Sequence, residues 1–118
     1  NADLSGATLT ASAFGDASTI DFTDANLTNA DLSGSKLTAD SNYGDATITF
    51  AETNLAHADL GGSKITANAG YYRGDATITF AETNLAHADL GGSKITANAG
   101  YYGAATIDFI AADLTNAD

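Results

Sequence analysis

The string GDATITFAETNLAHADLGGSKITANAGYY runs from Gly44 to Tyr72 and recurs unchanged from Gly74 to Tyr102. Looser copies flank it: GDASTIDFTDANLTNADLSGSKLTADSNY from Gly15, and GAATIDFIAADLTNAD from Gly103. The opening NADLSGATLTASAF matches the second half of the same unit. Units of this length cannot bury a core alone, so they must stack on their neighbours. The whole of 1–118 therefore reads as one array, with units at 15–43, 44–73 and 74–102 between partial units at 1–14 and 103–118.

A second period of five lies inside each unit. Large apolar residues fall at Phe22, Leu27, Leu32 and Leu37, then at Phe50, Leu55, Leu60 and Ile65. They fall again at Phe80, Leu85, Leu90 and Ile95, and the last unit restarts at Phe109. A small residue stands two places before most of them, as at Ala30, Ala58 and Ala88. Five fits neither the 3.6-residue helix nor the alternating strand. It fits a chain that turns a corner at every fifth residue and sends one large and one small side chain inward from each short face. Gly, Asn, Asp and Ser at the remaining places suit such corners. Dense Gly and Thr also disfavour helix.

The strings ADLSG, ANLTN and AHADLGG resemble the pentapeptide-repeat family, whose motif is A(D/N)LxX. The resemblance implies a right-handed parallel β-solenoid, roughly square, with four pentapeptide faces per coil. The landmarks Phe22, Phe50, Phe80 and Phe109 stand further apart than four such faces reach, so each coil carries an excursion. Its arms, ITANA from Ile65 and ATITF from Ala76, alternate with period two, the signal of half-buried strands. Ile65, Ala67 and Ala69 are expected to face Ala76, Ile78 and Phe80, with Thr66, Asn68, Thr77 and Thr79 outside. The expected fold is all-β, with about four coils of three or four pentapeptide-like faces and a projecting two-armed arch.

Composition narrows the function. Four Lys+Arg against 15 Asp+Glu leave a net charge of −11, the opposite of what a phosphate-binding surface needs. Nucleic-acid partners are therefore not expected, and no apolar run is long enough for a membrane helix. Cys is absent, so thiol chemistry and disulfides are excluded. Met is absent too, and the chain reads as mature, trimmed or excerpted. His57 and His87 occupy one position in two identical units, unlike the asymmetric groups of an active site. No catalytic, cofactor, metal or small-molecule site is expected.

What repeats form instead are columns. Tyr43, Tyr71, Tyr72, Tyr101 and Tyr102, with Phe14, gather at the arch tips as a candidate contact strip. Thr47, Thr77 and Thr106 form one outward column and Thr49 with Thr79 another, in a T-x-T pattern that resembles the ice-binding arrays of antifreeze β-solenoids. A further outward column is expected at Thr10, Thr38, Thr66 and Thr96. Asp31, Asp59 and Asp89 read as a solvated acidic ladder, as do Asp24, Glu52 and Glu82. Arg73-Gly74-Asp75 spells an integrin-recognition tripeptide that a single Arg creates. Asp16, Asp45 and Asp75 form a carboxylate column without the glycine-rich nonapeptide that usually holds calcium. The expected role is a non-enzymatic rod or extracellular filament or adhesin section, at the cell surface, whose partner is itself, end to end and side by side. The alternatives are ice binding, an acidic DNA-mimic modulator of topoisomerases of the pentapeptide kind, and a designed scaffold without activity.

Overall fold

In the computed structural model, which describes residues 2–118, every strand runs parallel to its partners. Strands β1 (Thr8–Ala13), β3 (Lys36–Ser41), β5 (Lys64–Asn68) and β7 (Lys94–Asn98) form one sheet in that order. Strands β2 (Ser18–Asp21), β4 (Ala46–Thr49), β6 (Ala76–Thr79) and β8 (Ala105–Asp108) form a second. Two columns of single parallel bridges complete the walls, Asp3 to Asp31 to Asp59 to Asp89, and Asn26 to Asn54 to Asn84 to Asp113. The chain is thus a β-solenoid of about four coils, with no helix among the described residues. Asn1, the first residue of the opening partial unit, lies outside them.

The five-residue period has a local cause. Phe50, Leu55 and Leu60 each begin a β-turn, closed by Thr53 N–H to Phe50 O (3.0 Å), Ala58 N–H to Leu55 O (2.9 Å) and Ser63 N–H to Leu60 O (2.9 Å). The third residue of each turn is left-handed: Glu52 at φ 56°, His57 at 57° and Gly62 at 66°. A positive φ at that place is the mark of type II turns. The polar residue before each large one supplies the cap. Asn54 Oδ1 accepts the Ala56 amide at 3.1 Å, and Asp59 Oδ1 accepts the Gly61 amide at 2.7 Å. One pentapeptide is therefore a small inward residue, a capping acceptor, a large inward residue and a two-residue corner.

Backbone hydrogen bonds tie each face to the coils on both sides, as where Asn54 donates to Ala25 O (2.9 Å) and Leu55 donates to Asn84 O (2.8 Å). The same register stacks like side chains. Phe22, Phe50, Phe80 and Phe109 form a continuous column with ring centroids 5.0, 4.8 and 4.8 Å apart and planes within 7° of parallel. Leu32, Leu37, Leu55, Leu60, Ile65 and Leu85 are fully buried beside it. Leu27, Leu90 and Ile95 belong to the outer coils and are partly covered.

The arms form as β3 to β6, and Ala46, Ile48, Ala76 and Ile78 point inward while Thr47, Thr49, Thr77 and Thr79 stay half-exposed. The other arm departs from simple alternation. Thr38 and Thr66 are only 7% and 9% exposed, so the expected outward column of Thr10, Thr38, Thr66 and Thr96 opens to solvent at Thr10 and closes in its middle. Coils about 4.8 Å apart leave a short side chain flanked above and below by its own copies. Length differences are absorbed at the tips. Asp40 stands beside Asn68 and Asn68 beside Asn98, and the longer second step adds its extra residues only between the arms.

Candidate functional site

The tips are held as firmly as the walls. Gly70 N–H donates to Gly44 O and Gly100 N–H to Gly74 O, both at 2.9 Å. A Cβ on Gly74 would collide with Gly44 O, and one on Gly103 would collide with Gly74 O. Glycine is required there because backbone lies directly on backbone. Tyr101 and Tyr102 donate their amides to Tyr71 O and Tyr72 O, each at 3.0 Å, which carries the ladder out to the aromatic residues.

On this edge Phe14, Tyr43, Tyr71, Tyr72, Tyr101 and Tyr102 remain 60% to 82% exposed. They touch one another without being buried: Phe14 meets Tyr43 edge-on at 5.4 Å, Tyr101 meets Tyr102 edge-on at 5.0 Å, and Tyr72 lies 5.5 Å from Tyr102. Phe14 follows Leu9 in step with the inward series, yet is 74% exposed because the chain has already left the wall for the tip. An aligned row of exposed aromatic rings is the most conspicuous apolar feature of the surface.

The Thr columns are less available than their spacing implies. Thr49 Oγ1 accepts the Ala51 amide and Thr79 Oγ1 the Ala81 amide, both at 3.1 Å. Asp21 and Asp108 fill the same register and do the same work for Thr23 N–H (2.8 Å) and Ile110 N–H (2.7 Å). Asp at the ends of this column is therefore a substitution of one cap for another. Thr47 and Thr77 are half-exposed and Thr106 is exposed.

The ladder of Asp31, Asp59 and Asp89 is likewise a row of caps as well as a row of charges. Asp31 Oδ1 accepts from Ser33 N–H and Ser33 Oγ, at 2.9 and 2.7 Å. Asp89 Oδ1 accepts the Gly91 amide at 2.7 Å. Two caps in which a hydroxyl joins the amide, Asp3 in this ladder and Asp113 in the column of Asn26, Asn54 and Asn84, hold the carboxyl below its ordinary range, first through the side-chain bond from Ser5 or Thr115 and then through that residue's amide. Asp24, Glu52 and Glu82 instead occupy left-handed corners.

Arg73-Gly74-Asp75 is woven into the ladder, with Gly74 buried and Asp75 Oδ1 accepting the Ala104 amide at 2.7 Å. Asp45 Oδ1 in turn accepts the Asp75 amide at 2.9 Å. His57 and His87 stack at 4.8 Å with planes 2° apart, both exposed at corners. Among the described residues no group of three or more His, Cys, Asp or Glu gathers as a metal site, and the described surface has no pocket.

Sequence reasoning missed two classes of residue. Thr53 and Thr83 turn their hydroxyls inward, donating to Phe22 O (2.7 Å) and Phe50 O (2.6 Å) of the preceding coil. Their places in the small-residue column were the available signal. Ser35, Ser63, Thr38 and Thr66 bury hydroxyls that have no partner among the described residues, and no sequence pattern separates these from Thr53 and Thr83.

Residues 1–39 match the family model described as pentapeptide repeats, in eight copies. No curated protein matches the chain. Among solved structures, the chain is similar to HetL, a pentapeptide repeat protein involved in heterocyst differentiation regulation from the cyanobacterium Nostoc sp. strain PCC 7120. That likeness has 17% identity and a TM-score of 0.28, and covers 98% of this chain but 59% of HetL. A second likeness is to Rfr23, a pentapeptide repeat protein of the cyanobacterium Cyanothece 51142, at 15% identity and a TM-score of 0.23, covering 88% of this chain and 91% of that one.

Proposed function

From a chain that resembles the pentapeptide repeats and is wound as a β-solenoid, we propose a non-enzymatic structural protein: a rigid rod that lengthens by stacking coil on coil, as a section of an extracellular filament or adhesin. The observation that carries this reading is the sameness of its coils. Both sheets and both bridge columns run in one register from coil to coil, and the rings of Phe22, Phe50, Phe80 and Phe109 stack at 5.0, 4.8 and 4.8 Å without a break. Each coil thus offers the same ladder and the same core to the coil above and the coil below, a surface on which a further coil can lie. Parallel strand edges invite this kind of addition, and a head-to-tail contact that does not close on itself yields an open fibre.

The assembly test is direct. Electron microscopy across a concentration series is expected to show unbranched filaments, with fibre diffraction at about 4.8 Å along the axis. Light scattering that finds only monomer at high concentration defeats the reading.

A further inference from the structure

We propose that Tyr72 and Tyr102 form an oxidative cross-linking site, at which a haem peroxidase using hydrogen peroxide joins the two rings and staples the third coil to the fourth. Within the aromatic strip these two rings belong to successive coils, carry a phenol each and lie 5.5 Å apart at an interplanar angle of 59°. They are 60% and 66% exposed, so an oxidant reaches both. The Tyr102 amide donates to Tyr72 O at 3.0 Å, and the neighbouring Tyr101 amide to Tyr71 O at 3.0 Å, which holds the two tips in register. The rings themselves stay free to turn, since exposed side chains reorient in picoseconds to nanoseconds. The other ring pair that bridges two coils at the tips, Phe14 with Tyr43, has a phenol on one side only.

The chemistry balances without further reagents. The oxidised peroxidase takes one electron and one proton from each phenol, leaving two phenoxyl radicals, and the two electrons reduce one hydrogen peroxide to two waters. The radicals couple through the ring carbons ortho to oxygen, forming one carbon–carbon bond. Each ortho hydrogen then moves to oxygen and restores the phenol. The product is a dityrosine that has lost two hydrogen atoms. In a rod with no Cys, such a bond supplies the axial covalent tie that a disulfide would otherwise provide. It forms within one molecule and goes beyond the assembly reading, standing whether or not filaments form.

The experiment treats dilute protein with a haem peroxidase and hydrogen peroxide, then follows dityrosine fluorescence, intact mass, peptide maps and thermal unfolding. The expected product is a monomer lighter by two hydrogen atoms, with one linked peptide joining Tyr72 to Tyr102. Closing a loop of about 30 residues is expected to raise Tm by about 10 °C. Tyr72→Phe and Tyr102→Phe, whose circular dichroism before oxidation matches the parent, lose the link and the rise in Tm, whereas Tyr101→Phe keeps both. Dityrosine confined to Tyr101 with Tyr102, cross-linked dimers in place of stapled monomer, or full yield from Tyr72→Phe each overturn the proposal.

Discussion

Replacing Thr66 and Thr83 by Val, one at a time, changes the same atoms in the same solenoid and is expected to move stability in opposite directions. Thr66 is 9% exposed, and its Oγ1 is buried without a partner among the described residues. Holding an unpaired hydroxyl away from water costs about 1–3 kcal/mol in protein interiors. Val keeps the branched shape and the strand preference, so Thr66→Val is expected to stabilise by about 1 kcal/mol. Thr83 is fully buried, and its Oγ1 donates to Phe50 O at 2.6 Å. A bond of this kind contributes about 0.5–1.5 kcal/mol net. Phe50 O also accepts the Thr53 amide, so the carbonyl is not orphaned when the hydroxyl is removed. The expected loss for Thr83→Val is therefore about 1 kcal/mol. For a chain of this size each kcal/mol shifts Tm by roughly 4 °C, so the two variants should melt about 8 °C apart, one on each side of the parent. Thermal and urea unfolding followed by circular dichroism measures the difference. Two shifts of the same sign would refute the claim that hydrogen-bond satisfaction, and not residue type, sets the energetics of the inner wall.

Two further outcomes test the register and the caps. Leu60→Asp places a carboxylate where the side chain is 1% exposed and stacked between neighbouring coils, and is expected to unfold the central coils. Asp59→Leu, at the adjacent position on the exposed side, is expected to leave the fold standing at the cost of the hydrogen bond to the Gly61 amide, about 1 kcal/mol, read by the same melts. The acid limb of stability depends in part on Asp113, whose carboxyl is held below its ordinary value of 3.8, first by Thr115 Oγ1 (2.6 Å) and then by the Thr115 amide. A lowered folded pKa contributes stability above the ordinary value and loses it as pH falls through the folded one. Asp113→Asn, the residue that Asn26, Asn54 and Asn84 place in the same column, is expected to flatten Tm against pH below about 4, with little change near neutrality.

How much of this was legible from residue order follows from the range of the forces involved. The period of five is a local signal. Each Ala-Asx-Leu triplet places its own inward pair and its own cap within a few residues, so the pattern alone sets Phe50, Leu55 and Leu60 on the inner wall. The tip length was equally legible, because identical units align with only one place for the difference. The solenoid's identity as stacked coils followed too, since units this short have nothing but their copies to pack against.

What lies between coils was not legible. Thr38 and Thr66 alternate like exposed strand residues, yet they are buried in the middle of a column whose first member, Thr10, is exposed, a difference the alternation does not carry. Thr49 and Asp21 look like a broken Thr column in sequence, yet both serve as acceptors for a backbone amide just downstream, which makes them equivalents. Glu52 and His57 give no sign of a left-handed backbone, a conformation that favours Gly, and the stacked coils hold them there. The Tyr72–Tyr102 pair, one full repeat apart in the chain, was visible as two members of a cluster, but its 5.5 Å approach depends on the tip-to-tip hydrogen bonds. Local pattern alone determined which residues face in and where the chain turns. Only stacking decided which polar atoms are satisfied and which surfaces stay open, because hydrogen bonds and burial in a solenoid are shared between coils that are distant in sequence.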